Sequence, residues 1–173
     1  ALFEYNSIAY TSCDVLRSAS CMDKACSKRL FESMLLNVLP YEVVSKTEFD
    51  REKAKTIAKL EDIIRYPMIV KPASQGSSIG IEVAKCREEL DFALQVASKF
   101  DEKIVVEHKL EDFVEVNCAA YSKNGRIVIS DTEQPCSASD FLTFEDKYTG
   151  GKMSASAHKI PAEIGSLEGI VKS

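Results

Sequence analysis

The sequence predicts an α/β (α+β) fold built with antiparallel hairpins, and three observations support that class. Apolar residues recur at helical spacing in separate stretches, short β-branched runs lie between those stretches, and Lys123-Asn124-Gly125 is a hairpin signal that a plain strand–helix alternation lacks. With 173 residues the chain has room for one domain or two small subdomains.

The elements follow in order. Residues 22–36, MDKACSKRLFESMLL, place Ala25, Leu30 and Met34 at helical spacing, and Asp23 near the N-terminal end suits the helix dipole. Pro40 stops that pattern, and 41–45 reads as a short strand. Thr47 is the expected cap of a second helix over about 48–65, with Phe49, Ile57, Leu60 and Ile64 on one face. Pro67 leads into a buried strand at 68–70. Then KPASQGSSIG, residues 71–80, is small and polar between two apolar runs and reads as a loop, after which 80–84 resumes as strand. A helix at 87–99 carries Leu90, Ala93, Leu94 and Ala97 as its apolar stripe. Residues 103–107 form another strand, 113–121 alternate like a sheet edge, and the hairpin turn returns through 126–130. Residues 131–160 lose periodicity and read as a long loop, a feature that is often functional in a compact domain.

Composition narrows the function classes. The chain is 45% hydrophobic, 28% charged and 8% aromatic, like an ordinary globular protein. A net charge of −5 with scattered cations argues against a track for nucleic acid, yet a local lysine cluster can still hold a small polyphosphate. No apolar run approaches the roughly 18–20 residues that span a bilayer, and the opening ALFEYNSIAY lacks the basic start of a signal peptide. No membrane or nucleic-acid partner is expected. The six cysteines form no CxxC pair, and His108 and His158 lie far from most of them. Reduced thiols in a cytoplasm account for them better than a zinc site.

Three features carry chemistry. Lys71 ends a buried strand and opens a loop containing Gly76, Ser77, Ser78 and Gly80. Small residues let backbone N–H groups approach an anion, and a lysine at the strand end adds a point charge. A plain turn with a solvated lysine is the competing reading. The segment is not a P-loop, because GxxxxGK[ST] is absent and the lysine precedes the glycines. VVEHKL, residues 105–110, is an apolar strand ending on an acid, suited to presenting backbone groups to a flat base; a surface acid at a strand end is the blander alternative. Lys147 and Tyr148 stand in a stretch that could close over bound phosphate and exclude water.

Taken together, these segments resemble the D-alanine–D-alanine ligases of the ATP-grasp superfamily. The resemblance runs through SASCMDK at 18–24 with Lys28 four residues on, YPMIVKPASQGSSIGI at 66–81, IVVE at 104–107, and FLTFEDKY at 141–148. It implies an ATP-grasp fold: 1–20 as the end of an N-terminal domain or linker, 21–107 as the central ATP-grasp subdomain, and 108–173 as the start of the C-terminal one, with a mobile loop at about 137–156. It also implies site roles. Lys28 and Lys71 resemble the lysines that hold the α- and β-phosphates, and Ser77 and Ser78 the flap over them. Ser77 with Tyr148 resembles the substrate-positioning pair, and Lys147 the lysine that reaches the γ-phosphate. Glu107 and Leu110 match the adenine hinge, Ile69 and Ile81 the apolar walls of the base pocket, and Glu115 the ribose-binding acid. Lys28 and Lys71 are therefore expected on one side of one sheet, facing the 104–110 hinge.

The sequence departs from the family in three places: Ser12 stands where glycine usually follows Tyr-Thr, Glu115 stands eight rather than about seven positions beyond Glu107, and Leu142 replaces an aromatic. The implied activity is ATP-dependent joining of D-alanine to D-alanine through an acyl phosphate, for peptidoglycan precursors, by a homodimeric cytoplasmic bacterial enzyme using ATP and Mg²⁺. The family's metal acids and transition-state arginine lie further downstream, so no metal ligand is assigned here. The chain is read as a fragment without turnover of its own. The alternatives are a D-alanine–D-serine ligase, another ATP-grasp carboxylate–amine ligase, and a non-catalytic nucleotide-binding module.

Overall fold

The computed structural model describes residues 1–135 and 158–165. They fall in two compact units, Ala1–Lys109 and Leu110–Ser173.

The first unit opens with three helices, α1 (Leu2–Tyr5), α2 (Val15–Met22) and α3 (Lys24–Ser33), of which the sequence had announced only the third. Asp14 caps α2 by accepting the Arg17 N–H at 2.8 Å, and Asp23 caps α3 by accepting the Cys26 N–H at 3.0 Å. Ser12, at the position where the resembled family has glycine, carries a φ of 89°, in the region that favours glycine.

Then come β1 (Tyr41–Ser45), α4 (Lys46–Arg51) and α5 (Lys53–Ile63). The expected single helix over 48–65 is two. Its cap is Ser45 rather than Thr47, for β1 ends at Ser45 and the Ser45 hydroxyl accepts the Glu48 N–H at 3.0 Å. The helix breaks at Glu52, whose φ of −132° is not helical.

Next follow β2 (Met68–Pro72), β3 (Glu82–Ala84), α6 (Arg87–Ala97) and β4 (Lys103–His108). The strand expected from residue 80 starts at Glu82, because Gly80 and Ile81 belong to the preceding turn. The four strands form one sheet in the order β1-β4-β2-β3, every neighbouring pair antiparallel.

Alternation divides this sheet into two faces. On one, Met68, Val70, Ile104 and Val106 are fully buried beneath Leu60 of α5 and Leu90 and Leu94 of α6. Burying one such side chain stabilises by about 1.5–3 kcal/mol, so this face holds the unit together. On the other, Val105 packs with Ala73 and with Ala25 of α3, flanked by Tyr41 and Val43. Ala25 is 1% exposed; with only a methyl at the contact, α3 lies close to the sheet.

In the second unit, β5 (Ala120–Lys123) and β6 (Arg126–Ile129) form the expected hairpin, with positive φ at Asn124 (51°) and Gly125 (74°), as a two-residue primed turn requires. The alternation at 113–121 yields only a bridge at Asn117, paired with Glu133, before β5 begins. β7 (Gln134–Pro135) pairs with β8 (His158–Lys159), and Thr132 is fully buried with its hydroxyl accepting the Ala162 N–H at 3.2 Å. Among the described residues, no helix is long and apolar enough to cross a membrane.

Candidate functional site

The site grows from the sheet face that α3 covers. The register pairs Ile69 with Glu107 and Lys71 with Val105, so these four side chains share that face. Lys24 and Lys28, one helical turn apart on α3, project over the same strands.

Glu107 stands at the centre. It is 4% exposed, yet charged. Its Oε1 accepts a hydrogen bond from Lys71, and its Oε2 lies 2.5 Å from Lys28 Nζ, a charge contact without the alignment of a hydrogen bond. Burial pushes the Glu107 carboxyl up, but the adjacent Lys71 and Lys28 charges outweigh that and hold it below its ordinary value. Lys28 also stands 5.0 Å from the centroid of the Tyr41 ring, within cation–π range. Lys28, Lys71 and Glu107 together carry a net positive charge and, with Phe31, Val38, Leu39 and Val105, line a cleft of about 400 Å³.

Beside Lys71 the 73–81 loop joins β2 to β3. Its crest is a tight turn: the Ile79 N–H donates to the Gly76 carbonyl at 3.0 Å, and the two central residues, Ser77 and Ser78, have φ of 51° and 62°. Left-handed serines are costly and cluster where surroundings enforce them, often at functional sites. Gly80, two positions beyond Ser78, is left-handed as well. Its φ is 69°, and a Cβ there would meet Phe100 Cδ2 at 2.6 Å and Pro72 Cγ at 2.9 Å, so no side chain fits. Gly76 has nothing within 4 Å of where a Cβ would stand, leaving the crest open to approach.

The structure therefore brings Lys28, Lys71, Glu107 and Ile69 together, with Ser77 and Ser78 in the adjoining turn and Ile81 half-buried just before β3. Leu110 and Glu115 are exposed residues of the second unit. Lys147, Tyr148 and the loop at 137–156 lie outside the described residues. Two features escaped sequence reasoning: the Glu107 side chain as the link between the lysines, and Lys24. The i, i+4 spacing of Lys24 and Lys28 on a helix was the available signal for Lys24. Among the described residues, no group of three His, Cys, Asp or Glu side chains could hold a metal ion.

Residues 30–169 match the family model described as D-ala D-ala ligase C-terminus. The chain is 38% identical over 150 residues to a D-alanine–D-alanine ligase of Caldicellulosiruptor bescii, covering 85% of this chain and 40% of the relative. A D-alanine–D-alanine ligase of Thermosipho africanus is 32% identical over 173 residues, covering 99% and 46%. Among solved structures, the VanG D-Ala:D-Ser ligase from Enterococcus faecalis superposes with a TM-score of 0.77 at 28% identity, covering 98% of this chain and 47% of that one. The chain thus spans less than half the length of each relative.

Proposed function

Because the chain belongs to the D-alanine–D-alanine ligase family, we propose that it is the nucleotide-holding part of an ATP-dependent ligase that joins D-alanine to D-alanine, or to a related D-amino acid acceptor, for peptidoglycan precursors. The observation that supports this most is the meeting of Lys28 and Lys71 at Glu107, beside an open cleft and a turn of small residues.

These residues suit ATP. The donor set is cationic, the crest at Gly76 is open, and Ile69 offers apolar surface on the same face. ATP, when bound, supplies the phosphoryl group that activates a carboxylate. Lys28 and Lys71 would hold its α- and β-phosphates, offsetting repulsion between them. The turn at Ser77 and Ser78 would cover the phosphates, Ser77 positioning substrate together with Tyr148, while Lys147 would reach the γ-phosphate. Glu107 and Leu110 would present the hinge, Ile69 and Ile81 would flank the base, and Glu115 would take the ribose. Glu107 would also keep the two ammonium groups paired until phosphate replaces its charge. Magnesium belongs to this reading through the family, its ligands lying outside the described residues. The whole protein would act as a homodimer in the bacterial cytoplasm.

The test is phosphate release from ATP and magnesium by the protein at its full natural length, with D-alanine or D-serine offered as acceptor. D-alanine-dependent release, reduced about 10²–10³-fold by Lys71→Met, is the expected result. ATP binding with no acceptor-dependent release would leave a non-catalytic nucleotide module instead. A D-serine acceptor is the second reading, favoured by the 28% identity to a D-Ala:D-Ser ligase; preferential peptide formation with D-serine would establish it.

A further inference from the structure

Lys24 opens α3 one turn before Lys28 and lines the same cleft, yet its contacts are of another kind. Its ammonium donates to three main-chain carbonyls: Pro72 at 3.0 Å, Ala73 at 3.3 Å and Gln75 at 2.5 Å. An ammonium has three N–H donors and no acceptor. These contacts use all three, and Lys24 keeps none with which to hold an anion. Burial pushes its pKa down, and the Lys71 charge pushes the same way. The carbonyl dipoles are what make a cation tolerable there.

The groups it gathers are those that launch the glycine–serine loop. Around them the main chain is tied from several sides. The Lys24 N–H donates to the Ala73 carbonyl at 2.9 Å, the Ala73 N–H to the Lys103 carbonyl at 2.9 Å, and the Ser74 N–H to Asp101 at 2.6 Å. Asp23, next to Lys24, caps α3 and also accepts from Lys103 Nζ at 2.5 Å. Asp23 and Lys24 thus fasten α3 to the two chain segments that meet at this corner, the start of β4 and the exit of β2.

A trans peptide points its N–H opposite to its carbonyl. A Gln75 carbonyl held by Lys24 therefore also sets the direction of the Gly76 N–H, where the turn of left-handed serines begins. We propose that Lys24 is the positioning residue of the 73–80 loop: it gathers the carbonyls of Pro72, Ala73 and Gln75, and so fixes the amides that receive the nucleotide's phosphates, without touching the nucleotide. This rests on the nucleotide reading above.

The experiment uses the full chain, its Lys24→Met variant, which keeps the stem and removes the charge, and Lys24→Arg, which restores a multi-donor cation. Amide hydrogen exchange without ligand, thermal unfolding, and calorimetric affinities for ATP and adenosine are measured on all three. Expected for Lys24→Met are faster exchange at 73–80 with β4 unchanged, ATP affinity lower by about tenfold or more, and unchanged adenosine affinity. Lys24→Arg should recover most of the ATP affinity. Wild-type ATP affinity in Lys24→Met overturns the proposal and leaves the nucleotide reading standing. Equal losses for ATP and adenosine make Lys24 a general fold contact, and a loss for ATP with unchanged loop exchange makes it a phosphate ligand; either overturns the proposal. A wild-type chain that binds neither ligand overturns the nucleotide reading, and the proposal with it.

Discussion

The two faces of the β1-β4-β2-β3 sheet are made by alternate residues of the same strands, and they differ in what burial is used for. On the face under α5 and α6, Met68, Val70, Ile104 and Val106 are buried because they are apolar. On the face under α3, Glu107 is nearly as deeply buried, at 4% exposed, although it is a carboxylate. The first face tolerates only bulk that fits. The second is held by small contacts (Ala25, Ala73, Val105) and by charge balanced against charge. The lesson is that a period of two lets one strand serve the core and a site at once, provided its register never slips.

The largest expected effect breaks the core face. Leu94→Ala removes a fully buried side chain and should cost about 3–5 kcal/mol in denaturant unfolding; a loss under 1 kcal/mol would mean α6 does not anchor this face. Next comes Glu107→Gln, which leaves two ammonium groups facing a neutral amide. Breaking a buried pair usually costs 3–5 kcal/mol. Lys28 and Lys71, 18% and 23% exposed at their side chains, can turn partly to water, so about 3 kcal/mol is expected. Its pH dependence identifies it. The folded Glu107 pKa lies below its ordinary 4.5, so its contribution is complete above that value and is lost as pH falls through the depressed one. Glu107→Gln should therefore lose less stability than wild type between neutral pH and pH 3; parallel acid limbs would remove Glu107 from the balance. The smallest of the three sharpens the contrast. Ala25→Leu overfills the close contact between α3 and the sheet and should cost about 2 kcal/mol. A neutral result would show that α3 does not rest tightly on this face.

Much of the core face was legible in the sequence. The strands at 41–45 and 103–107 and the stripe of Leu90, Ala93, Leu94 and Ala97 are local patterns that supported the α/β class, while its antiparallel character was read from the hairpin signal at Lys123-Asn124-Gly125. The break at Glu52 was not legible, because DREKAK is made of residues that suit a helix interior, apart from Asp50. Nor did any local pattern separate Ser45 from Thr47 as a cap; the end of β1 decides it. The site face is the less legible because it is made by distant partners. Glu107 reads as a surface acid at a strand end until β4 is known to lie between β1 and β2. Lys24 reads as one more exposed lysine until its ammonium is seen among carbonyls some fifty positions away. The small residues at 71–80 pointed to an anion loop, yet the need for glycine at 80 comes from Phe100, beyond the next helix.

The position of β4 in the sheet has a consequence for assembly in time. β1 and β2 are not neighbours; each pairs with β4, the last of the four strands to leave a ribosome. Until it arrives, only the β2–β3 hairpin has a partner, and β1 waits across roughly sixty residues of chain for a loop closure that is costly and slow. The strand that completes the sheet also carries Glu107, so an incomplete nascent chain holds Lys28 and Lys71 with no shared counter-charge. The sheet and the lysine clamp are finished by one event, and a chain that has not inserted β4 has neither.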